Sequence, residues 1–362
     1  MNFQIDDYKF SGEIDFSNNI QIKSSAKIYD VFYSTTKLET FIKEIYKSND
    51  FIFIDKNVYD LNPSAFKFIN SIYILIFNAT ENNKVIESVL ELTDNLYNIK
   101  FTKQNKLIVI GGGITQDVGG FGAAIYKRGI DWIYIPTTIL SMTDSCIGSK
   151  VNINRVSKNI LGMFNAPNTI YISDYFLDSL NQDDIISGIG EALKLSLIGG
   201  ELVYNLFIDK LKIKDYVSII KLASLVKRQI IEFDEFEVHT RKALNYGHTI
   251  GHAIEGTTNY YIPHGIAVLI GMLINNILFY DNKYQEINTL ILELINPKFF
   301  QIEFNYNEFI KHILSDKKNR GNDICFIVLD KIGQTAIIYK NIDEINIKLK
   351  IILIQLFKLC IF

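Results

Sequence analysis

Residues 106–117 read Lys-Leu-Ile-Val-Ile-Gly-Gly-Gly-Ile-Thr-Gln-Asp, a short apolar run that leads directly into three glycines. The apolar residues predict a buried strand, and the glycines predict a tight connection into a helix. Such a turn lets the backbone approach a pyrophosphate, whose charge the N–H groups of a helix N-terminus attract. The pattern is not the GxGxxG fingerprint, and a simple strand-to-helix connection explains it equally well. Asp117 either stabilises the helix N-terminus or contacts a nucleotide.

Strand-like and helix-like segments alternate around this turn. Residues 51–55 and 71–77 have the apolar character of buried strands, and residues 81–97 carry apolar side chains at helical spacing. Apolar strands separated by helices predict an α/β fold with a parallel sheet. After about residue 181 helical periodicity dominates, over residues 217–231, 249–255, 266–280 and 287–294. We therefore predict an α/β domain over residues 1–180 and a mainly helical domain over residues 181–362.

Composition narrows the class of protein. The 362 residues are 48% hydrophobic and carry a net charge of −3, with dispersed lysines and arginines, which argues against a nucleic-acid partner. Residues 1–7 lack the basic and apolar regions of a signal peptide, and the three cysteines show no metal-type pairing, so we expect a cytoplasmic protein. The apolar stretch 345–362 contains three lysines and is short for a membrane span, so we expect a packed helix or strand and no membrane partner.

Three of the five histidines, His248, His252 and His264, lie within 17 positions of one another. A spacing of four places His248 and His252 on one helix face. Glu191, in the segment Gly-Ile-Gly-Glu-Ala-Leu-Lys, can complete a set of imidazole and carboxylate ligands that suits Zn²⁺ and similar divalent metals. The pattern predicts a catalytic metal, with a buried core histidine as the alternative reading of His252.

Six basic residues stand beside glycine, histidine or asparagine motifs instead of in solvated charge runs. They are Arg128, Lys150, Lys158, Lys194, Lys227 and Arg241. A single one of these lysines is more easily explained as a surface residue, but the clustering of all six indicates an anionic substrate.

Seven motifs follow one another in the order found in 3-dehydroquinate synthases. They are Gly111-Gly-Gly-x3-Asp117, Pro136-Thr-Thr-x-Leu140, Asp144-Ser-x2-Gly-x-Lys150, Lys158-Asn159-x2-Gly162, Gly190-Glu191-x2-Lys194, Arg241-x2-Leu-Asn245-x-Gly-His248-Thr-x-Gly-His252-Ala-x-Glu255, and His264-Gly265. The chain therefore resembles the sugar phosphate cyclase superfamily, and most closely its 3-dehydroquinate synthases, over residues 55–333. The resemblance implies a Rossmann-like nucleotide-binding α/β domain and a mainly α-helical metal-binding domain, with the active site in the cleft between them.

The resemblance also implies roles for individual residues. Glu191, His248 and His264 match the zinc ligands, and His252 matches a residue near the leaving phosphate. Positions that match NAD contacts are Asp55, Glu81, Lys84, Gly112, Gly113, Asp117, Thr137, Thr138, Leu140, Lys158, Ser179 and Leu180. Positions that match substrate contacts are Asp144, Lys150, Asn159, Lys194, Lys227, Arg241, Asn245 and, in the run 316–318, Lys317. Arg128 resembles the arginine that reaches into a neighbouring subunit's site, which implies a homodimer.

The implied reaction converts 3-deoxy-D-arabino-heptulosonate 7-phosphate to 3-dehydroquinate and phosphate. NAD takes a hydride and returns it to the same carbon, phosphate leaves by elimination between these steps, and an aldol addition closes the carbocycle, so there is no net redox change. A divalent metal, Zn²⁺ or Co²⁺, polarises the reacting oxygen.

Two departures from the usual pattern bear on the substrate. The segment 150–158 is one residue shorter than is usual, and residues 164–167, Phe-Asn-Ala-Pro, resemble the sister cyclases of secondary metabolism. Lys227 and Arg241, in contrast, match the pair that holds the substrate carboxylate, which favours an acid substrate. The alternatives are a cyclase like 2-epi-5-epi-valiolone synthase or 2-deoxy-scyllo-inosose synthase, a metal-dependent glycerol or alcohol dehydrogenase, and a non-catalytic sugar-phosphate-binding module.

Overall fold

The computed structural model describes residues 2–5, 8–11, 14, 17–25, 27–156, 158–238, 240–316, 318–321 and 323–360. The strands are β1 (Asn2–Ile5), β2 (Tyr8–Ser11), β3 (Asn19–Lys23), β4 (Ile28–Ser34), β5 (Phe51–Asp55), β6 (Ile74–Phe77), β7 (Leu107–Gly111), β8 (Trp132–Pro136), β9 (Lys150–Ile153), β10 (Leu161–Phe164), β11 (Thr169–Ser173), β12 (Glu303–Asn305), β13 (Asp323–Lys331), β14 (Gln334–Asn341) and β15 (Lys358–Cys360). The helices are α1 (Leu38–Ile45), α2 (Lys56–Leu61), α3 (Ile86–Asn98), α4 (Gly113–Ile125), α5 (Gln182–Gly199), α6 (Glu201–Lys212), α7 (Tyr216–Phe233), α8 (His248–Thr257), α9 (His264–Tyr280), α10 (Gln285–Leu294), α11 (Tyr306–Leu314) and α12 (Ile342–Leu356).

The chain forms two compact units. One is Asp15–Leu180, and the other combines Met1–Ile14 with Asn181–Phe362. The structure divides the chain between Leu180 and Asn181, and the described residues before position 15 group with the second unit. The reason is strand pairing, since β1 lies parallel to β14, with Gln4 opposite Gln334.

The unit Asp15–Leu180 is an α/β structure, as predicted. Seven of its described strands form one sheet in the order β3-β4-β11-β8-β7-β5-β6, in which all neighbours are parallel except β3 and β4, and β9 and β10 form a separate antiparallel pair. Every residue of β7 and β8 is buried, which explains their continuous apolar sequences. Helix α4 lies very close to the sheet, because a Cβ atom on Gly119 would come within 2.7 Å of Val109.

Two predicted elements in this unit differ from the structure. Residues 71–73 form a 3₁₀ turn capped by the Asn70 side chain, so the strand predicted over 71–77 begins only at Ile74. The helix predicted over 81–97 begins at Ile86, since Val85 has extended backbone and bridges Asn154. Side-chain spacing does not reveal that tertiary contact.

The second unit is mainly helical, also as predicted. The four predicted helices are present as α7, α8, α9 and α10. Helices α5 and α9 are buried over most of their lengths and form its centre. At the C-terminus, α12 packs through Ile345, Leu349, Ile352 and Leu353, and β15 pairs with β12. Among the described residues, none of the helices has the length and apolarity needed to cross a membrane.

Candidate active site: a histidine cluster and a glycine turn

Three helices of the second unit bring Glu191, His248 and His264 together. His248 is the first residue of α8 and His264 the first of α9, while Glu191 lies within α5. The Nε2 atoms of His248 and His264 each lie 3.5 Å from Oε1 of Glu191. Ligand atoms about 2.1 Å from a tetrahedral Zn²⁺ are ~3.4 Å apart, so this spacing fits a metal ion.

The buried Glu191 carboxylate supports the same interpretation. The side chain is 0% exposed, and its Oε1 has no hydrogen-bond donor among the described residues. Its Oε2 forms an ion pair with Lys194. A buried carboxylate oxygen without a donor costs free energy unless a cation is bound beside it. The residues present therefore fit a divalent metal.

His252 borders this cluster. One ring nitrogen of each of His248, His252 and His264 lies within 4.8 Å of the others, so the three histidines are a second possible set of metal ligands. The His252 ring stacks on His264, with 5.6 Å between ring centroids, and its side chain is exposed whereas His248 is buried. His252 is thus placed to contact a ligand that approaches from solvent.

Each of the two metal-side histidines is oriented through its other ring nitrogen. Nδ1 of His264 lies 3.0 Å from Oε2 of Glu255, and Nδ1 of His248 lies 3.2 Å from the Tyr246 carbonyl. An Nδ1 that donates to these acceptors leaves Nε2 with its lone pair directed at the metal. Burial holds the pKa of His248 well below its usual range, so that this ring is neutral. The charges of Lys194, His252 and His264 lower this pKa further. Glu255 closes the His252-Ala-x-Glu255 motif, but its role becomes evident only from this contact with His264.

Three cationic side chains are buried in this unit. Lys194, Lys227 and Arg241 are 1%, 4% and 3% exposed and lie on α5, on α7 and in the 3₁₀ turn Thr240–Asn245. Buried cations are stable only with anionic or strongly polar partners. The Arg241 guanidinium donates to the Glu235 carbonyl, and its backbone N–H donates to Asp234 at 3.0 Å.

Glu237 is a second residue that the sequence analysis missed. Its Oε1 accepts a hydrogen bond from Asn245 Nδ2 at 2.6 Å, and its backbone is left-handed, with φ of 60°. A non-glycine residue in this conformation is strained and is frequently functional. The pattern Asp234-Glu235-Phe-Glu237 shortly before Arg241 was the available signal.

In the unit Asp15–Leu180, the glycine turn meets the segment that follows β8. A Cβ atom on Gly112 would lie 3.4 Å from Thr138, and one on Gly113 would lie 3.4 Å from Ser145 Oγ. Thr137 donates its backbone N–H to Gly111 O at 3.1 Å. Leu140 precedes, and Asp144 belongs to, the short π-helical turn Ser141–Ser145. The structure thus brings Gly112, Gly113, Thr137, Thr138, Leu140 and Asp144 to one end of the sheet.

Predicted nucleotide and substrate contacts also meet around Lys84. Its Nζ forms an ion pair with Asp117 and donates to Asn159 Oδ1 at 2.6 Å. The Asn152 backbone N–H donates to Asp117 at 2.9 Å. Burial raises the pKa of Asp117, and Lys84 and this N–H oppose the shift. Glu81 joins the cluster through Asn154, whose Nδ2 donates to Glu81 Oε1 at 2.7 Å.

Two further predicted positions make local hydrogen bonds. Asp55 caps α2 by accepting from Asn57 N at 2.8 Å, and burial raises its pKa. Ser179 donates to Phe176 O at 2.8 Å, immediately before Leu180. Lys150 begins β9, and Lys158 follows in the connection to β10. Lys317 falls outside the described residues.

Arg128 is exposed and has left-handed backbone, with φ of 63°. The preceding Lys127 is left-handed as well, with φ of 49°. A second exposed pair of left-handed residues occurs at Asn259 and Tyr260.

Two family models match most of the chain. The model described as 3-dehydroquinate synthase N-terminal matches residues 74–187, and the model described as 3-dehydroquinate synthase C-terminal matches residues 188–319. The chain belongs to the 3-dehydroquinate synthase family. A 3-dehydroquinate synthase of Pelagibacter ubique (strain HTCC1062) is 36% identical, covering 91% of this chain and 97% of that protein. One from Thermoanaerobacter sp. (strain X514) is also 36% identical, covering 89% and 96%.

Solved structures of other sugar phosphate cyclases share the fold. A 2-deoxy-scyllo-inosose synthase in complex with carbaglucose-6-phosphate, NAD⁺ and Co²⁺ has a TM-score of 0.78 at 20% identity and covers 92% of this chain and 99% of that one. A 2-epi-5-epi-valiolone synthase from Streptomyces hygroscopicus subsp. jinggangensis 5008, with NAD⁺ and Zn²⁺ bound, has a TM-score of 0.74 at 19% identity and covers 96% and 99%. At these identities the likeness shows the fold alone.

The Asn-Ala-Pro variant at 165–167 has a structural explanation within this 3-dehydroquinate synthase fold. The Asn165 side chain donates to Gly120 O on α4 at 2.8 Å, and its backbone N–H donates to Ser149 O at 2.7 Å. The Ala166 carbonyl accepts from Trp132 Nε1 at 3.1 Å. These contacts fasten the segment after β10 to the helix and sheet, so the variant residues serve packing.

Proposed function

We propose that the chain converts 3-deoxy-D-arabino-heptulosonate 7-phosphate to 3-dehydroquinate and phosphate, the reaction of its family in the shikimate pathway, with NAD and a divalent metal, Zn²⁺ or Co²⁺. The observation that carries the proposal is the burial of Lys227 and Arg241 in the unit that holds Glu191 and the histidine cluster. An acid phosphate offers carboxylate and phosphate groups that these two cations can bind.

The nucleotide would supply the hydride transfer, and the metal would supply the polarisation of the reacting oxygen. When bound, NAD⁺ accepts a hydride from a ring carbon and later returns it, while the divalent cation polarises the oxygen on that carbon. Glu191, His248 and His264 hold the cation. Gly112 and Gly113 let the nucleotide approach the backbone at the start of α4, where the N–H groups favour a pyrophosphate.

The charged side chains bind and orient the substrate. The Arg241 guanidinium is a planar donor fork that suits a carboxylate, and Lys227 adds a second positive charge. His252, exposed beside the cluster, is placed to donate a hydrogen bond to the phosphate or to hold a proton during its elimination. Lys194 lies against the Glu191 carboxylate and is held beside the metal position.

A phosphate-release assay tests this function. With 3-deoxy-D-arabino-heptulosonate 7-phosphate, NAD⁺ and Zn²⁺ or Co²⁺, we expect inorganic phosphate to form without stoichiometric NADH, and chelation to abolish turnover. Preference for sedoheptulose 7-phosphate or glucose 6-phosphate would identify a sister cyclase instead. Stoichiometric NADH would identify a dehydrogenase.

We also propose that the chain acts as a homodimer in which Arg128 serves the neighbouring copy's site. The exposed position of Arg128 supports this role.

A further inference from the structure

Asn154, which the family resemblance leaves without a role, connects the nucleotide-side residues to a substrate-side residue. Its Oδ1 accepts the backbone N–H of Asn159 at 2.8 Å, and its Nδ2 donates to Glu81 Oε1 at 2.7 Å. Its own backbone N–H donates to Lys84 O at 2.8 Å. Three of the four hydrogen-bonding groups of Asn154 are therefore engaged with residues of the proposed site.

These contacts close a ring. Glu81 and Lys84 belong to one short segment, and Lys84 Nζ returns to the Asn159 side chain at 2.6 Å. Asn159 is therefore held at its backbone by Asn154 and at its side chain by Lys84. Displacement of Glu81 or Lys84 by a ligand must move Asn159, because hydrogen bonds join all four residues.

The backbone of Asn159 is left-handed, with φ of 55°. Asparagine adopts this conformation more readily than other non-glycine residues do, and the contacts with Asn154 and Lys84 hold it there. The segment 150–158 is also the one that is a residue shorter than is usual in the family. The Asn154–Asn159 hydrogen bond closes the second half of this segment and fixes the position of Asn159, which follows directly after it.

We propose that Asn154 is a positioning residue that couples nucleotide binding to substrate binding. NAD that contacts Glu81 and Lys84 fixes these side chains, and Asn154 and Lys84 then hold Asn159 in the conformation that binds substrate. The inference rests on the proposed function for the roles of Glu81, Lys84 and Asn159. It adds that the two ligands bind cooperatively through Asn154, with equal effects in both directions.

Calorimetric titration of the metal-loaded protein tests the coupling. The probes are NAD⁺ and the phosphonate analogue of the substrate, in which a methylene group replaces the bridging oxygen so that phosphate cannot leave. We expect the analogue to tighten NAD⁺ binding to the wild-type protein by a factor in the usual range of about 5–150. Asn154→Ala should weaken the binding of both NAD⁺ and the analogue. It should also reduce the coupling factor by about fivefold or more.

Two further variants separate positioning from a general loss of structure. Asn154→Asp retains the acceptor for Asn159 N–H but places a second carboxylate against Glu81, so NAD⁺ binding should weaken while binding of the analogue alone stays within about twofold. Asn98→Ala removes an exposed amide at the end of α3, in the same unit but away from these contacts. It should behave as the wild type.

A coupling factor that is near one in the wild-type protein, or unchanged in Asn154→Ala, overturns the inference. Failure of the proposed function is recognised separately, since wild-type protein that binds NAD⁺ would then release no phosphate from the heptulosonate phosphate. In that case inorganic phosphate replaces the analogue as the probe of coupling, and the same comparison of variants decides.

Discussion

Glu255 bears on the metal centre through a single contact, its carboxylate 3.0 Å from Nδ1 of His264. Glu255→Gln retains the size of the side chain but replaces the charged acceptor with an amide. Loss of such a partner typically lowers metal affinity by about 10–100-fold, and we expect a drop of this size in a Co²⁺ titration followed by visible absorption. Glu293 is an exposed glutamate on α10, so Glu293→Gln is the matched control. Equal affinities in the two variants would remove Glu255 from the site.

Arg241 tests the nature of the substrate. Arg241→Ala removes the donor fork proposed for the carboxylate, and we expect kcat/KM for the acid phosphate to fall by about 30–1000-fold, equivalent to about 2–4 kcal/mol. Zn²⁺ and NAD⁺ affinities should change little, which calorimetry checks. Arg228→Ala, which breaks a partly exposed pair with Glu232 on α7, controls for the general loss of a cation. An unaffected kcat/KM in Arg241→Ala would exclude the carboxylate role.

At the scale of elements, the beginning of α8 depends on Gly247. This residue has φ of 78°, and a Cβ atom there would lie 2.6 Å from Met272 Cγ and 2.8 Å from Val268 O on α9. Gly247→Ala combines backbone strain with a collision, so we expect the free energy of unfolding to fall by about 2–5 kcal/mol. Metal affinity should fall as well, because His248 is the next residue.

Gly321 supplies the control for this substitution. Its φ of 58° is also left-handed, but nothing lies within 4 Å of an added Cβ atom. Gly321→Ala therefore tests strain alone, and its cost should be about 1 kcal/mol. Urea unfolding of both variants measures the difference. Equal losses would mean that the contact with α9 is unimportant.

The sequence predicts those features of these elements that depend on local pattern. The glycine turn after β7, the apolar strands and the helices carrying His248 and His264 all follow from spacing and turn residues. The late start of α3 does not, since Val85 is held extended by a bridge to Asn154 that is distant in sequence. Glu255 was missed for a similar reason, because its partner His264 becomes a neighbour only when α8 packs against α9.

For the whole molecule, the dimer proposal predicts complementation between inactive variants. Arg128→Ala and Glu191→Gln should each be inactive, but co-refolding equal amounts should restore about a quarter of wild-type activity, since half the dimers are mixed and each has one intact site. Mixing Arg241→Ala with Glu191→Gln should restore none, because both residues serve their own copy. A monomeric mass in solution, or no recovery in the first mixture, would contradict the role of Arg128.

The pairing of β1 with β14 has a consequence for the order of folding during synthesis. A ribosome releases β1 before the unit Asp15–Leu180 and releases β14 after it, and chains usually begin to fold from the N-terminal side. The residues of unit Asp15–Leu180 emerge together and can pack early. Until β14 has been made, β2 is the one strand among the described residues that can pair with β1. The nascent chain therefore exposes an unpaired edge of β1 after the sheet of unit Asp15–Leu180 has formed. Chaperones can bind to this edge.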